Sequence, residues 1–144
     1  MAEGDGAIYN NFKEQVMLGA FNLSTNTING ILVSGYTPDI DADVNYASVS
    51  GDEYGTATGY TAGGETLTTK TVTQDDANDR AVWDADNVTW SSLGPLAPNT
   101  PSHFILYSTT ATNQLIAYWE IGTTATNGGD YTMAFNAVGI LTLT

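Results

Sequence analysis

One histidine stands in this chain, His103, and Ser102 precedes it directly. Serine and histidine are the nucleophile and base of acyl-transfer triads, where the two side chains must meet and an acid must orient the imidazole. Neighbours on a strand point to opposite faces, so this pair is poorly placed. A triad would need His103 to meet a distant serine and an aspartate. A lone histidine at the start of a strand reads more simply as an ordinary polar residue. The acids fall into three groups: Asp39, Asp41 and Asp43; Asp75, Asp76 and Asp79; Asp84 and Asp86. Aspartates alternating with backbone carbonyls can hold Ca²⁺. None of the groups has the fixed glycine and closing glutamate of the calcium loop, so they read as solvated turn acids. With 16 acids in the chain, a glycosidase pair could be drawn anywhere, and nothing singles out two of them. The glycine-rich segment Gly55 to Gly64 lacks the Gly-Lys-Ser/Thr ending of a phosphate loop, and a threonine-rich strand follows it rather than a helix. It reads as a loop that brings backbones close together. There is no cysteine, hence no thiolate chemistry and no disulfide. Trp83, Trp90 and Trp119, with eight tyrosines, could form a sugar-stacking platform, but rings on strands are more often core. These residues point to no enzyme, no cofactor, no metal and no small-molecule substrate.

The elements that must position these groups are mostly strands. Tyr9, Phe12, Val16 and Ala20 recur at spacings of three and four, with Met17 beside them, which predicts one short helix over Asn10 to Leu18. Thr27 to Ser34 reads as a strand buried on both faces near Ile31, Leu32 and Val33. Further strands are predicted over Thr66–Thr73, Arg80–Trp83, Val88–Ser91, His103–Ser108, Gln114–Ile121, Tyr131–Phe135 and Val138–Leu143. Acidic or glycine-rich turns separate many of them. Leu93 to Pro101 carries three prolines and reads as a rigid extended loop. In Gln114–Ile121 the set Leu115, Ala117, Trp119 and Ile121 is wholly apolar and is expected to face the core. Short strands without long helices predict an all-β fold, an antiparallel β-sandwich or barrel of the jelly-roll kind. The 144 residues are expected to form a single domain, with residues 1–8 as a flexible N-terminal arm. Gly35 to Glu65 is a long irregular stretch that holds Tyr36, Tyr46, Tyr54 and Tyr60. Disordered linkers are poor in aromatics, so this loop must pack on something, either its own domain or a neighbour.

Bulk charge narrows the partners. Three basic residues stand against 16 acidic ones, for a net charge of −13. Binding to nucleic acid by counterion release needs several Lys or Arg on phosphates, and Lys13, Lys70 and Arg80 cannot supply them. An anionic membrane surface is disfavoured for the same reason. No run approaches the ~18 apolar residues of a membrane span, and Met1 to Gly6 does not read as a secretory signal. Charged residues make up only 13% of the chain, about half the usual share, with neutral Thr, Asn and Ser in their place. Such faces cost little to desolvate when another subunit covers them.

The run GYTAGGETLTTKTVTQDDANDRAVWDADNVTWSS, from Gly59 to Ser92, is similar to a recurrent pattern in small structural proteins of tailed bacteriophages. There a GYTAGG-type loop leads to an L-T-x-x-T-V strand and a DAD[DN]VTW element. LIAYWEIG, NGGDYTMAFN and the closing VGILTL resemble that family's last three strands. The resemblance spans about Ile8 to Thr144, is strongest from Gly59 onward, and is weakest over Asp39 to Glu53. It implies a virion component, commonly a head decoration or cement protein, with no catalytic motif to transfer. The implied partners are the major capsid protein and other copies of this chain, with a homotrimer favoured at a threefold site. The implied location is the outer surface of the phage head, assembled in the host cytoplasm. A tail or fibre-associated adhesion module is the alternative. On the cement reading the arm and the long loop are expected to reach neighbours through Ile8, Tyr9, Phe12, Tyr36, Tyr46, Tyr54 and Tyr60.

Overall fold

The computed structural model describes residues 6–55, 59–94, 100–122 and 125–144. The chain is mostly β-strand in antiparallel sheets, with two short helices. The predicted helix is present as α1, Asn10–Met17. It ends where Gly19 turns left-handed at φ 76°. There the Gly19 N–H donates to the Val16 carbonyl and the Ala20 N–H to that of Gln15, the paired bonds of a glycine-terminated helix.

The main sheet has five strands. They are β1 (Gly6–Ile8), β2 (Ile28–Val33), β3 (Glu65–Thr66), β7 (His103–Ser108) and β8 (Gln114–Glu120), in the order β1-β8-β7-β2-β3. Every residue of β7 is buried, because both faces of the sheet are covered. One face packs Leu32, Phe104, Leu106, Ile116 and Ala117 against Trp83, Val88 and Trp90 of the smaller sheets. The other packs Ile31, Val33, Ile105, Leu115 and Tyr118 against Tyr36 and Val49. The smaller sheets are β10-β5-β4, from Leu141–Leu143, Arg80–Asp84 and Thr71–Asp75, and β6-β9, from Val88–Trp90 and Tyr131–Met133. Among the described residues no sheet closes into a barrel.

Several expectations are corrected. The assignment of Leu115, Ala117, Trp119 and Ile121 to one core face fails at a β-bulge. Leu106 pairs with Ala117 and Tyr107 with Leu115, leaving Ile116 as an extra residue in β8. The extra residue reverses the alternation. Leu115 therefore joins Tyr118 on one side of the sheet, while Ile116, Ala117 and Trp119 lie on the other. The single strand expected over Thr66–Thr73 is two strands in different sheets. Thr69 adopts φ 51°, and the Thr68 and Thr69 hydroxyls donate to Asp86. Residues 6–8 of the expected flexible arm are not an arm, since Gly6–Ile8 is the edge strand β1, paired with Ala117–Trp119. Residues 1–5, and 95–99 of the proline-rich loop, lie outside the described residues. Beyond the one predicted helix there is α2, Tyr46–Val49, followed by a 3-10 turn at Ser50–Asp52.

Candidate functional site: an open apolar groove beside the N-terminal helix

The seven residues expected to meet a neighbour divide by burial. Tyr9 and Tyr54 are fully buried, and Phe12, Tyr36 and Tyr60 nearly so. Ile8 and Tyr46 are half-buried. Five of the seven are therefore corrected from surface contacts to core residues. The long loop packs on its own domain. The Tyr36 hydroxyl donates to Asp43, and Tyr9 and Tyr36 share a hydrogen bond of 2.9 Å. Glu53 gathers three donors: the Tyr46 hydroxyl, the Tyr60 hydroxyl at 2.7 Å and the Gly63 N–H at 2.7 Å. Tyr46 also stacks on Tyr107, with ring centroids 4.8 Å apart. Burial pushes the Tyr36 and Tyr60 phenols far above their ordinary range, and the neighbouring carboxylates push the same way. The Tyr60 hydroxyl further binds the Leu32 N–H, and the Tyr54 N–H donates to the Leu32 carbonyl. The loop thereby closes the stretch of β2 that β3 leaves unpaired.

The glycine-rich segment brings backbones together, as its composition predicts. A Cβ on Gly59 would lie 2.3 Å from the Ser91 carbonyl oxygen, and one on Gly64 2.0 Å from that of Gly30. The acids cap turns. Asp39 accepts the Asp41 and Ala42 N–H groups, and Asp75 accepts Asn78 and Arg80. Among the described residues no three His, Cys, Asp or Glu converge as metal ligands.

Ser102 and His103 do meet, against the expectation from strand geometry. Ser102 precedes β7, and its Oγ lies 2.9 Å from His103 Nδ1. The same hydroxyl lies 3.2 Å from the Val33 carbonyl, which can only accept. A hydroxyl has one proton to give. When that proton goes to Val33, Nδ1 must be the donor and cannot act as its base. Burial holds the imidazole below its ordinary range, with Tyr36 and Tyr118 packed edge-on against it. This arrangement ties β7 to β2.

The feature that the strand pattern misses lies beside α1. Only the first half of its apolar stripe is covered. Phe12 is buried, while Val16 is 40%, Met17 88% and Leu18 70% exposed. Facing Phe12, Val16 and Met17 is one side of the β10-β5-β4 sheet, carrying Val72, Ala81, Trp83, Leu141 and Leu143, of which Leu143 is 73% exposed. The two walls enclose an open groove of about 380 Å³. Among the described residues Lys13 is the one charged residue that lines it, in a chain where acids outnumber bases by more than five to one. Contiguous exposed apolar surface of this kind marks interaction sites. The signal was present in the sequence as Val16-Met17-Leu18, three adjacent apolar residues where one helix face can bury only part.

No family model, no curated protein and no solved structure matches the chain.

Proposed function

We propose that this chain is a capsid decoration protein of a tailed-phage head, which binds the outside of the major capsid protein shell and stabilises it. The groove between α1 and the β10-β5-β4 sheet carries the reading. It is apolar and open, and no carboxylate is among the described residues that line it, so an apolar segment of a coat subunit can enter it without confronting one. The resemblance read from the sequence, over about Ile8 to Thr144 and strongest from Gly59 onward, agrees with the same reading. So does the acidity, since a chain of net charge −13 suits the outer face of a nucleic-acid container better than the inner one. A subunit that binds only the assembled shell stabilises that state by mass action. In this reading the five-stranded sheet and the smaller sheets form a sandwich of the jelly-roll kind, which holds the two groove walls at a fixed spacing.

The experiment is to mix purified protein with expanded shells that lack it. Saturable binding is expected, together with hundreds of copies per virion on a quantitative gel. The double substitution Met17→Lys with Leu143→Lys puts charge into the groove at two exposed positions. It is expected to abolish binding while changing folding stability by no more than about 0.5 kcal/mol per site. Label found only on the tail, or unchanged binding by the double variant, would overturn the proposal. Glycan binding lost on substituting one tryptophan would favour the adhesion module instead.

A further inference from the structure

Most edge strands among the described residues are short. β1, β10, β6 and β9 have three residues each, and β3 has two. β4 differs. It is an edge of five residues, Thr71–Asp75, and its pairing with β5 runs without a bulge along its whole length. Thr71, Val72, Thr73 and Gln74 are all exposed. Proteins blunt such edges with prolines, lysines, bulges or a covering segment. The strand TVTQD contains none of the first two, and its exposure shows that no described residue covers it. The row of N–H and C=O groups on its outer side is a template for another strand.

We propose that β4 pairs antiparallel with β4 of a second copy of this chain, about a twofold axis at Thr73. Opposed residues in a sheet point to the same face, so a twofold pairing must be centred on a residue, and charge then selects among the centres. With the axis at Thr73, Thr71 stands opposite Asp75 of the second copy, Val72 opposite Gln74 and Thr73 opposite itself, and just beyond the ladder Lys70, which precedes the strand, comes beside Asp76, the first residue of the turn. The cation–acid match occurs twice, and no two acids oppose each other. Centred on Thr71, Val72 or Gln74, the pairing sets no acid against Lys70. Centred on Asp75, it sets Asp75 against itself and carries Lys70 past the turn at residues 76–79. Cross-strand pairs of opposite charge stabilise a sheet and like pairs oppose it. The Thr73 register is thus the one that places one of the chain's three basic residues against an acid.

Pairing at β4 joins two three-stranded sheets into one of six strands. It also covers part of Val72, which is 52% exposed in the single chain. Val72 and Gln74 share a face, so both apolar grooves open on the same side of the joined sheet. The contact is the same patch on both copies, which closes as a dimer, rather than the trimer expected for a threefold site. The inference concerns the isolated chain and does not rest on the shell reading.

Sedimentation velocity over a concentration series tests it, at low and then moderate salt. A monomer–dimer equilibrium is expected. Lys70→Asp and Asp76→Lys each place like charges opposite one another, and each is expected to raise the dimer dissociation constant at least tenfold. The double variant K70D with D76K restores the match and is expected to recover the dimer. That recovery separates pairing from the loss of the Lys70 bond to the Leu67 carbonyl (3.1 Å), which the double variant also lacks. Thr73→Cys adds the chain's first thiol, and mild oxidation is expected to link it into a covalent dimer, whereas Thr89→Cys in β6 stays unlinked. Melting curves verify that each variant is folded. A chain that stays monomeric throughout the series, single charge variants that leave the dimer intact, or a double variant that fails to recover it would each overturn the proposal.

Discussion

At the residue scale, among the described residues of the long loop, Glu53 is the side chain that gathers the most hydrogen bonds. Its carboxylate accepts from Tyr46, Tyr60 and the Gly63 N–H, so it ties the 3-10 turn to the glycine-rich segment. Hydrogen bonds to a charged acceptor contribute more than neutral ones, and a buried donor left unpaired costs about 1–3 kcal/mol. Tyr60 is 3% exposed, so little water can replace the lost carboxylate there. Glu53→Ala is therefore expected to cost about 3 kcal/mol of folding stability, read from urea unfolding. Tyr46→Phe removes one donor at a half-buried site and is expected to cost about 1 kcal/mol. Equal losses from the two would show that the carboxylate does not act as a shared anchor. The sequence showed that the tyrosines of this loop must pack, but left open on what. Their spacing has no period of its own, because acceptors far along the chain fix them one by one.

At the scale of elements, strand positions were legible and strand partners less so. β7 and β8 stand within a residue of the predicted bounds, since runs such as His103–Ser108 are apolar and β-branched or aromatic almost throughout. The bulge at Ile116 was not legible, because an inserted residue changes register without changing composition. Nor was the break at Thr69, where a β-branched residue holds a backbone conformation that sequence patterns assign to glycine or asparagine. The apolar groove was half-legible. The helix stripe was seen, but its incomplete coverage depends on where the β10-β5-β4 sheet stops. The glycine-rich loop permits a paired test at this scale. Gly64 (φ 73°) and Gly128 (φ 89°) are both left-handed, but a Cβ on Gly64 would strike the Gly30 carbonyl whereas one on Gly128 meets nothing within 4 Å. Gly128→Ala is expected to cost about 1 kcal/mol, the conformational part alone. Gly64→Ala is expected to cost about 3 kcal/mol or more, because β2 or the loop must also move. Similar urea midpoints for the two variants would contradict the close approach of Gly64 to β2.

At the scale of the whole molecule, the tyrosines couple the fold to alkaline pH. Six of them, Tyr9, Tyr36, Tyr46, Tyr60, Tyr107 and Tyr118, are raised above the ordinary phenol value. Desolvation is the main cause at each, and at Tyr36, Tyr46 and Tyr60 a carboxylate that accepts the phenol proton adds to it. The unfolded chain releases these protons near pH 10, while the folded chain keeps them. Above that pH the unfolded state binds fewer protons than the native state, so unfolding free energy falls as pH rises. The contribution is fully present below about pH 10 and is lost progressively above it. The protein is therefore expected to unfold cooperatively in alkali, with most tyrosinate absorbance appearing in the same step as the loss of β-sheet circular dichroism. Tyr36→Phe removes a phenol whose charged form the fold opposes, at the cost of the bonds to Asp43 and Tyr9. It is expected to be less stable at neutral pH yet to lose stability less steeply above pH 10 or so. Smooth titration of all eight tyrosines near pH 10 with the sheet signal intact would mean that the rings are open to water, and the loop's packing would have to be redrawn.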